Sequence, residues 1–319
     1  MSNYSQEQFV KIQRKYKLTK YPSEITKISG EPYFKLDTTL TLKCSKERSI
    51  PFMIENLLKQ DKRKFTISSS GNASKVAVWC ALNNPEIEDL KVYLSSKFNY
   101  NKYLVLFQMS DLGLMKNNFI RKKNFKYKNI QFSFSDTPRK DASKDINDGY
   151  YLLRGSVDDN SFWGYASIIE ELNEQMSNLK KIKNIFIPAS SGSTVIGIFQ
   201  ATQDANLKIR FHVVQTTKVY TLIKKMLKNI QPELDHPADS IVDIVGNLRG
   251  RIEDIIRSTN GTANVISADE CILALNYLKN NLKINDVSYD SALGYAAFLS
   301  QSKKDSSINS ENSLILFTG

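Results

Sequence analysis

Three short stretches of this chain hold residues whose types and spacing can do chemistry. Ser68-Ser69-Ser70-Gly71-Asn72 follows the apolar run Lys64-Phe65-Thr66-Ile67. It precedes Ser74-Lys75-Val76-Ala77-Val78-Trp79-Cys80-Ala81-Leu82, whose apolar residues fall on one face at helical spacing. Ser190-Ser191-Gly192-Ser193-Thr194 repeats the plan, with Ile185-Phe186-Ile187-Pro188 leading in and Val195-Ile196-Gly197-Ile198-Phe199 beginning a helix. Each stretch reads as a strand ending in a small-residue loop that opens a helix. Backbone N–H groups without helical partners converge there, which favours an anion. Small polar loops also join many strands to helices without binding anything, so the pair says more than either alone. The third stretch is Ser45-Lys46-Glu47-Arg48, which opens a helix over 50–58 after Lys35-Leu36-Asp37 has ended a strand.

The elements that must position these residues alternate. Val92-Tyr93-Leu94, Tyr103-Leu104-Val105-Leu106-Phe107, Ile209-Arg210-Phe211-His212-Val213-Val214-Gln215 and Leu314-Ile315-Leu316-Phe317 read as strands. Helices are predicted over 162–178, 219–228, 248–259 and 268–280, the last capped by Ser267 ahead of Glu270. Strands alternating with helices imply an α/β protein with largely parallel sheets. The polar stretch Ser135 to Gly149 marks the boundary between two domains, 1–149 and 150–319, and Lys303 to Asn312 reads as a flexible connection before the last strand.

Composition narrows the classes. The 319 residues contain no run of eighteen apolar ones and no signal sequence at Met1-Ser2-Asn3-Tyr4, so a soluble, cytoplasmic protein with no membrane partner is expected. Cys44, Cys80 and Cys271 are an odd, widely spaced set that reads as reduced, buried thiols, and with only two histidines no metal site is expected. The net charge of +11 suits an anionic substrate or a nucleic acid. The lysines are spread, however, and the one dense cluster, Arg121-Lys122-Lys123-Asn124-Phe125-Lys126-Tyr127-Lys128, reads as a solvated connection, so a nucleic-acid partner is not expected.

Taken together, these residues resemble the fold-type II pyridoxal-phosphate enzymes, which include threonine synthase, threonine and serine dehydratases, cysteine synthase and the tryptophan synthase β subunit. In that family a strand ending Lys-Leu-Glu is followed by Asn-Pro-Thr-Gly-Ser-Phe-Lys-Asp-Arg, whose lysine holds the cofactor as a Schiff base. In the same register that lysine is Lys46, with Glu47-Arg48 matching Asp-Arg. Ser69-Ser70-Gly71-Asn72 resembles the Ser-Thr-Gly-Asn loop, in which the asparagine contacts the cofactor's phenolic oxygen and the loop holds the substrate carboxylate. Ser190 to Thr194 resembles the Gly-Ser-Gly-Gly-Thr phosphate cradle. Ala238-Asp239-Ser240-Ile241, Val265 to Glu270 and Ser291-Ala292 are most similar to threonine synthases and threonine dehydratases. Thr318 falls where the family places a small hydroxyl residue at the pyridine nitrogen.

The chain also departs from the pattern. Leu40-Thr41-Leu42-Lys43-Cys44-Ser45 replaces Asn-Pro-Thr-Gly-Ser-Phe, which puts Lys43 at a glycine position. Ser190 and Ser193 replace glycines of the cradle, which is unfavourable if φ must be positive there. Ala73 stands where the family has a hydroxyl residue after the asparagine.

The resemblance implies two parallel-sheet α/β domains, a pyridoxal 5'-phosphate cofactor, a homodimer and a small amino-acid substrate. Lys46, partly desolvated, would be both the cofactor's anchor and the base that moves the α-proton. The activity implied first is threonine-synthase-like: γ-elimination of phosphate from O-phosphohomoserine, then addition of water at the β carbon. The alternatives are β-elimination or β-replacement on serine, threonine or an O-activated serine, and a non-catalytic relative that keeps the fold as a binding module.

Overall fold

The computed structural model describes residues 6–319 apart from 70, 97–99, 112, 114–115, 122–123 and 156–157. Among the described residues the strands are β1 (Glu24–Lys27), β2 (Tyr33–Leu36), β3 (Lys64–Ser68), β4 (Asp89–Ser95), β5 (Phe125–Tyr127) and β6 (Ile130–Ser135). They continue with β7 (Tyr151–Leu152), β8 (Asn184–Pro188), β9 (Arg210–Thr216), β10 (Thr262–Ile266) and β11 (Ser313–Phe317). The chain divides into two compact units, each with one sheet. The architecture is therefore the expected two-sheet α/β class.

The unit containing Lys20–Ser45 and Tyr165–Gly319 holds a six-stranded sheet in the order β1-β2-β11-β8-β9-β10. Every pair is parallel except β1 with β2. β8 and β11 are buried along their whole length, as parallel strands covered on both faces must be. Phe34, Phe186 and Phe317 pack with Tyr295 and Phe298 of helix Tyr289–Ser302 into one core. The end of β2 is fixed by charge: the wholly buried Lys35 pairs with Glu171 and donates to Gln175 Oε1 and to the Ser23 carbonyl, both at 2.7 Å. Helix Ala268–Asn280 begins with the expected capping box between Ser267 and Glu270.

The unit containing Glu7–Thr19 and Lys46–Gly164 holds a five-stranded sheet in the order β5-β6-β4-β3-β7. Only β5 with β6 is antiparallel. Helices Lys46–Leu58 and Asn72–Asn83 pack against each other, and the indole N–H of Trp79 donates to the Tyr16 carbonyl at 2.7 Å. The polar stretch 135–149 folds as helix Pro138–Lys144 and a 3₁₀ turn, Asp145–Asp148. Its buried Asp145 accepts from Thr66 Oγ1 at 2.9 Å, Lys91 Nζ at 2.8 Å and Tyr93 Oη at 3.2 Å.

Several local expectations are corrected. Tyr103 to Phe107 is a 3₁₀ turn (Tyr100–Tyr103) followed by helix Leu104–Met109, not a strand. Tyr103 and Leu106 are buried while Leu104 is exposed, a three-residue spacing that a short all-apolar run conceals. The helix expected over 219–228 is reduced to one 3₁₀ turn, Lys224–Met226. The backbone there bonds three residues back rather than four, Ile223 N to the Tyr220 carbonyl at 3.2 Å and Met226 N to the Ile223 carbonyl at 3.0 Å.

Part of the basic cluster is strand β5, whose Phe125 stacks on Phe132 with ring centroids 4.7 Å apart. That ring belongs to an aromatic core with Phe119, while Lys122 and Lys123 lie outside the described residues. The connection at 303–312 is closed by its own side chains, with Ser307 N donating to Asp305 Oδ1 and Asn312 Nδ2 to the Ser307 carbonyl, each at 2.9 Å. All three cysteines are buried and none is in a disulfide.

Candidate active site

Lys46 is the first residue of helix Lys46–Leu58 and is half-buried, in contrast to the wholly buried Glu47 and Arg48 that follow it. Gln13 Nε2 donates to the Glu47 carbonyl at 3.0 Å and fixes that first turn. In the same unit β3 runs into Ser69-Ser70-Gly71 and then helix Asn72–Asn83, as the apolar run and its small residues predict. Ser69 Oγ accepts from the Gly71 amide at 3.1 Å, closing the loop; Ser70 lies outside the described residues. Gly71 has φ 140°, outside the range of ordinary side-chain-bearing residues.

Behind this loop runs a relay that the sequence does not announce. The buried Tyr103 hydroxyl donates to Ser74 Oγ at 2.9 Å, and Ser74 Oγ donates to the Gly71 carbonyl at 3.0 Å. Desolvation holds the Tyr103 hydroxyl well above its ordinary pKa, so it remains a donor at any physiological pH.

The other unit carries the second loop. β8 ends at Pro188, and Ala189 is held by its amide on the Val214 carbonyl and by its carbonyl on Gln215 Nε2, both at 2.9 Å. Gln215 is buried and also accepts the Leu222 amide. It is a supporting residue that no local motif marks. The strain that a positive φ would bring at Ser190 or Ser193 does not arise: in this loop Gly192, with φ 90°, is the residue in the left-handed region. Ser190 is used instead as an anchor, its Oγ accepting from Val242 N at 3.0 Å and Asp243 N at 3.2 Å.

Ser191 and Ser193 hydroxyls lie 3.1 Å apart, and helix Ser193–Asp204 has no acidic residue in its first turn. The hydroxyl of the buried Thr194 makes no hydrogen bond to the described protein, and neither does that of Thr318 at the end of β11. First-turn amides, several hydroxyls and no carboxylate fit a phosphate dianion.

Lys43 keeps a left-handed backbone, φ 55°, at the position where a glycine is usual in the pattern it resembles. Its ammonium pairs with Asp286 at 3.1 Å. Among the described residues no group of histidine, cysteine and carboxylate side chains is placed to hold a metal ion, and no helix is long and apolar enough to cross a membrane.

A mainly parallel sheet in each unit, strand–loop–helix turns whose amides and hydroxyls suit an anion, and a lysine that opens a helix fit the class of cofactor-dependent α/β enzymes. The chain belongs to the pyridoxal-phosphate dependent enzyme family, whose description matches residues 14–319. Its cofactor is accordingly pyridoxal phosphate. No curated protein sequence matches it. Among solved structures it is similar to maize serine racemase, with 16% identity, a TM-score of 0.72 and coverage of 100% of this chain and 93% of that one. It is similar to the processed form of threonine deaminase isoform 2 from Solanum lycopersicum, with 14% identity, a TM-score of 0.70 and coverage of 99% and 90%. An L-serine ammonia-lyase from Rhizomucor miehei gives 12% identity, a TM-score of 0.71 and coverage of 93% and 92%. Likenesses at such low identity show the fold.

Proposed function

We propose that this enzyme performs β-elimination on a hydroxy amino acid of the serine or threonine type. Support comes from the solved structures it is similar to, which include a serine racemase, a threonine deaminase and a serine ammonia-lyase. These favour β-chemistry over the threonine-synthase-like γ-elimination that the sequence motifs suggest first. The observation that carries the reading is the pair of loops, each closed by its own hydroxyls and opening a helix, together with a half-buried lysine at the start of a third helix.

In this reading pyridoxal phosphate, when bound, supplies an electron-withdrawing ring that accommodates the electron pair left at the substrate's Cα. Lys46 Nζ would hold the cofactor covalently and would serve as the base for the substrate's α-proton. Asn72 orients the ring, and Ser69, Ser70 and Gly71 hold the substrate carboxylate. Ser190 shapes the cradle, while Ser191, Gly192, Ser193 and Thr194 receive the phosphate through hydroxyls and first-turn amides. Thr318 would offer the pyridine nitrogen a neutral hydroxyl rather than a carboxylate, which favours prompt departure of a β substituent. For L-serine the balance is one pyruvate and one ammonia, the β-hydroxyl leaving as water and one water being taken up on release.

The test is to incubate the holoenzyme with L-serine, L-threonine and O-phosphohomoserine and identify the products. Pyruvate or 2-oxobutyrate with ammonia supports the proposal. Threonine and phosphate from O-phosphohomoserine would replace it with the γ-elimination reading, and no turnover of any amino acid would favour a binding module.

A further inference from the structure

One hydroxyl behind the loop at 69–72 is not explained by the chemistry above. Tyr103 is wholly buried, and its ring lies 5.1 Å from that of Phe119, which packs edge-on against Phe132 of β6 at 4.9 Å. A phenylalanine would serve that aromatic contact equally well. A buried hydroxyl is costly unless it is hydrogen-bonded, and this one donates to Ser74 Oγ at 2.9 Å.

Ser74, also wholly buried, passes the bond on. Its Oγ accepts from Tyr103 and donates to the Gly71 carbonyl at 3.0 Å, and the same carbonyl accepts the Lys75 amide at 2.8 Å. The stem of Lys102 covers the same glycine, its Cδ standing 2.5 Å from where a side chain on Gly71 would begin. Gly71 needs this hold: φ 140° and ψ −58° lie where side-chain-bearing residues rarely go, and a glycine backbone has many alternatives of similar energy. The peptide joining Gly71 to Asn72 is planar and trans, so its N–H points opposite to its carbonyl. With the carbonyl held towards the helix, the Asn72 N–H is turned outwards from the helix start, the side from which an anion approaches.

We propose that Tyr103 is a positioning residue of the substrate site: acting through Ser74, it sets the orientation of the Gly71–Asn72 peptide and so the fit of the loop to the substrate's carboxylate. The inference rests on the reading that the 69–72 loop holds that carboxylate. The hydroxyl acts at one remove, two hydrogen bonds from the loop carbonyl. In the same reading the cofactor is anchored by Lys46 and the 190–194 loop, which take no part in the relay. Loss of the Tyr103 hydroxyl should therefore weaken the substrate and spare the cofactor.

The experiment compares wild-type holoenzyme with Tyr103→Phe, Ser74→Ala and the double variant. The ligands are L-serine and L-serinamide, which has an uncharged amide in place of the carboxylate. Binding is read from the change each ligand causes in the cofactor's visible band, KM and kcat from pyruvate formation, and cofactor affinity from titration with pyridoxal phosphate. Tyr103→Phe should raise KM for L-serine roughly five- to tenfold, with kcat within about twofold of wild type. L-Serinamide binding and cofactor affinity should each change less than about twofold. Ser74→Ala should show the same selective loss. The double variant should be no worse than the worse single one, because both substitutions break one continuous chain.

Equal losses for L-serine and L-serinamide, or losses that add in the double variant, would overturn the inference and leave Tyr103 a residue of the core. A lower unfolding midpoint with unaltered KM would do the same. If Tyr103→Phe does not fold, Ser74→Ala carries the comparison. A wild type that develops no visible band with pyridoxal phosphate, or that binds L-serinamide as tightly as L-serine, fails at the earlier step and overturns the parent reading. A wild type that prefers L-serine, with that preference intact in both single variants, overturns this inference alone.

Discussion

The amide of Ser45 donates to the carbonyl of Thr318 at 2.9 Å. The residue before the candidate anchor lysine is thus tied to the end of β11, and Gly319 N donates to Ser291 Oγ at 3.3 Å to fix the same terminus. Both bonds use the backbone around Thr318 and leave its hydroxyl available.

Thr318→Val should therefore separate site from scaffold. The hydroxyl makes no hydrogen bond to the described protein, so urea unfolding should change by less than about 0.5 kcal/mol. Turnover and the position of the cofactor's absorption band should change. A large loss of stability with unaltered chemistry would make Thr318 an ordinary strand-end residue.

Gly192→Ala should weaken the cradle. Its φ of 90° disfavours any side chain, and a Cβ would lie 3.0 Å from both Cγ1 and Cδ1 of Ile252. Strain and overpacking together predict a loss of roughly 1–3 kcal/mol. Pyridoxal phosphate titration should show weaker binding than in wild type. Unchanged affinity would remove the phosphate from this loop.

Lys43→Gly should be mildly stabilising. A left-handed backbone at φ 55° costs a lysine about 1–2 kcal/mol, partly offset by glycine's larger loss of entropy on folding. The Asp286 partner is exposed, so losing that pair costs little. A gain of about 0.5 kcal/mol in chemical denaturation is expected, and a loss would show that the stem of Lys43 packs more than its conformation costs.

Stability should fall in acid through His212. Burial, reinforced by the charge of Arg210, lowers its imidazole from the ordinary 6.5 to about 3, and the neutral ring bridges Thr262 Oγ1 at 2.7 Å and Asn184 Oδ1 at 3.1 Å. Below pH 6.5 the unfolded chain takes up a proton that the folded chain refuses. This contribution is complete above 6.5 and is lost as pH falls towards 3, with a slope of up to about 1.4 kcal/mol per pH unit. Unfolding free energies measured across that window should be flatter in His212→Asn by up to one proton.

What the sequence reveals depends on how far each signal reaches. β3, β8, β9 and β11 and the helices behind the two loops are legible because apolar runs, small residues and helical spacing sit side by side in the chain. Tyr103 to Phe107 misleads because five consecutive apolar residues fit either period, and only burial of Tyr103 and Leu106 reveals the helix. The segment after Val219 misleads because its apolar spacing suits a helix while its backbone makes only three-residue turns, Ile223 N to Tyr220 and Met226 N to Ile223. Ser190's role as anchor for residues 242–243, and the Tyr103–Ser74–Gly71 relay, join positions far apart in sequence and leave no local trace.

The most direct test of the account is the visible absorption of the purified protein with pyridoxal phosphate, beside Lys46→Ala. A band that appears in the wild type, survives removal of free cofactor and is absent from the variant is the predicted result, and it would establish Lys46 as the cofactor's covalent anchor. The same band persisting in Lys46→Ala, or no band in the wild type, would contradict it.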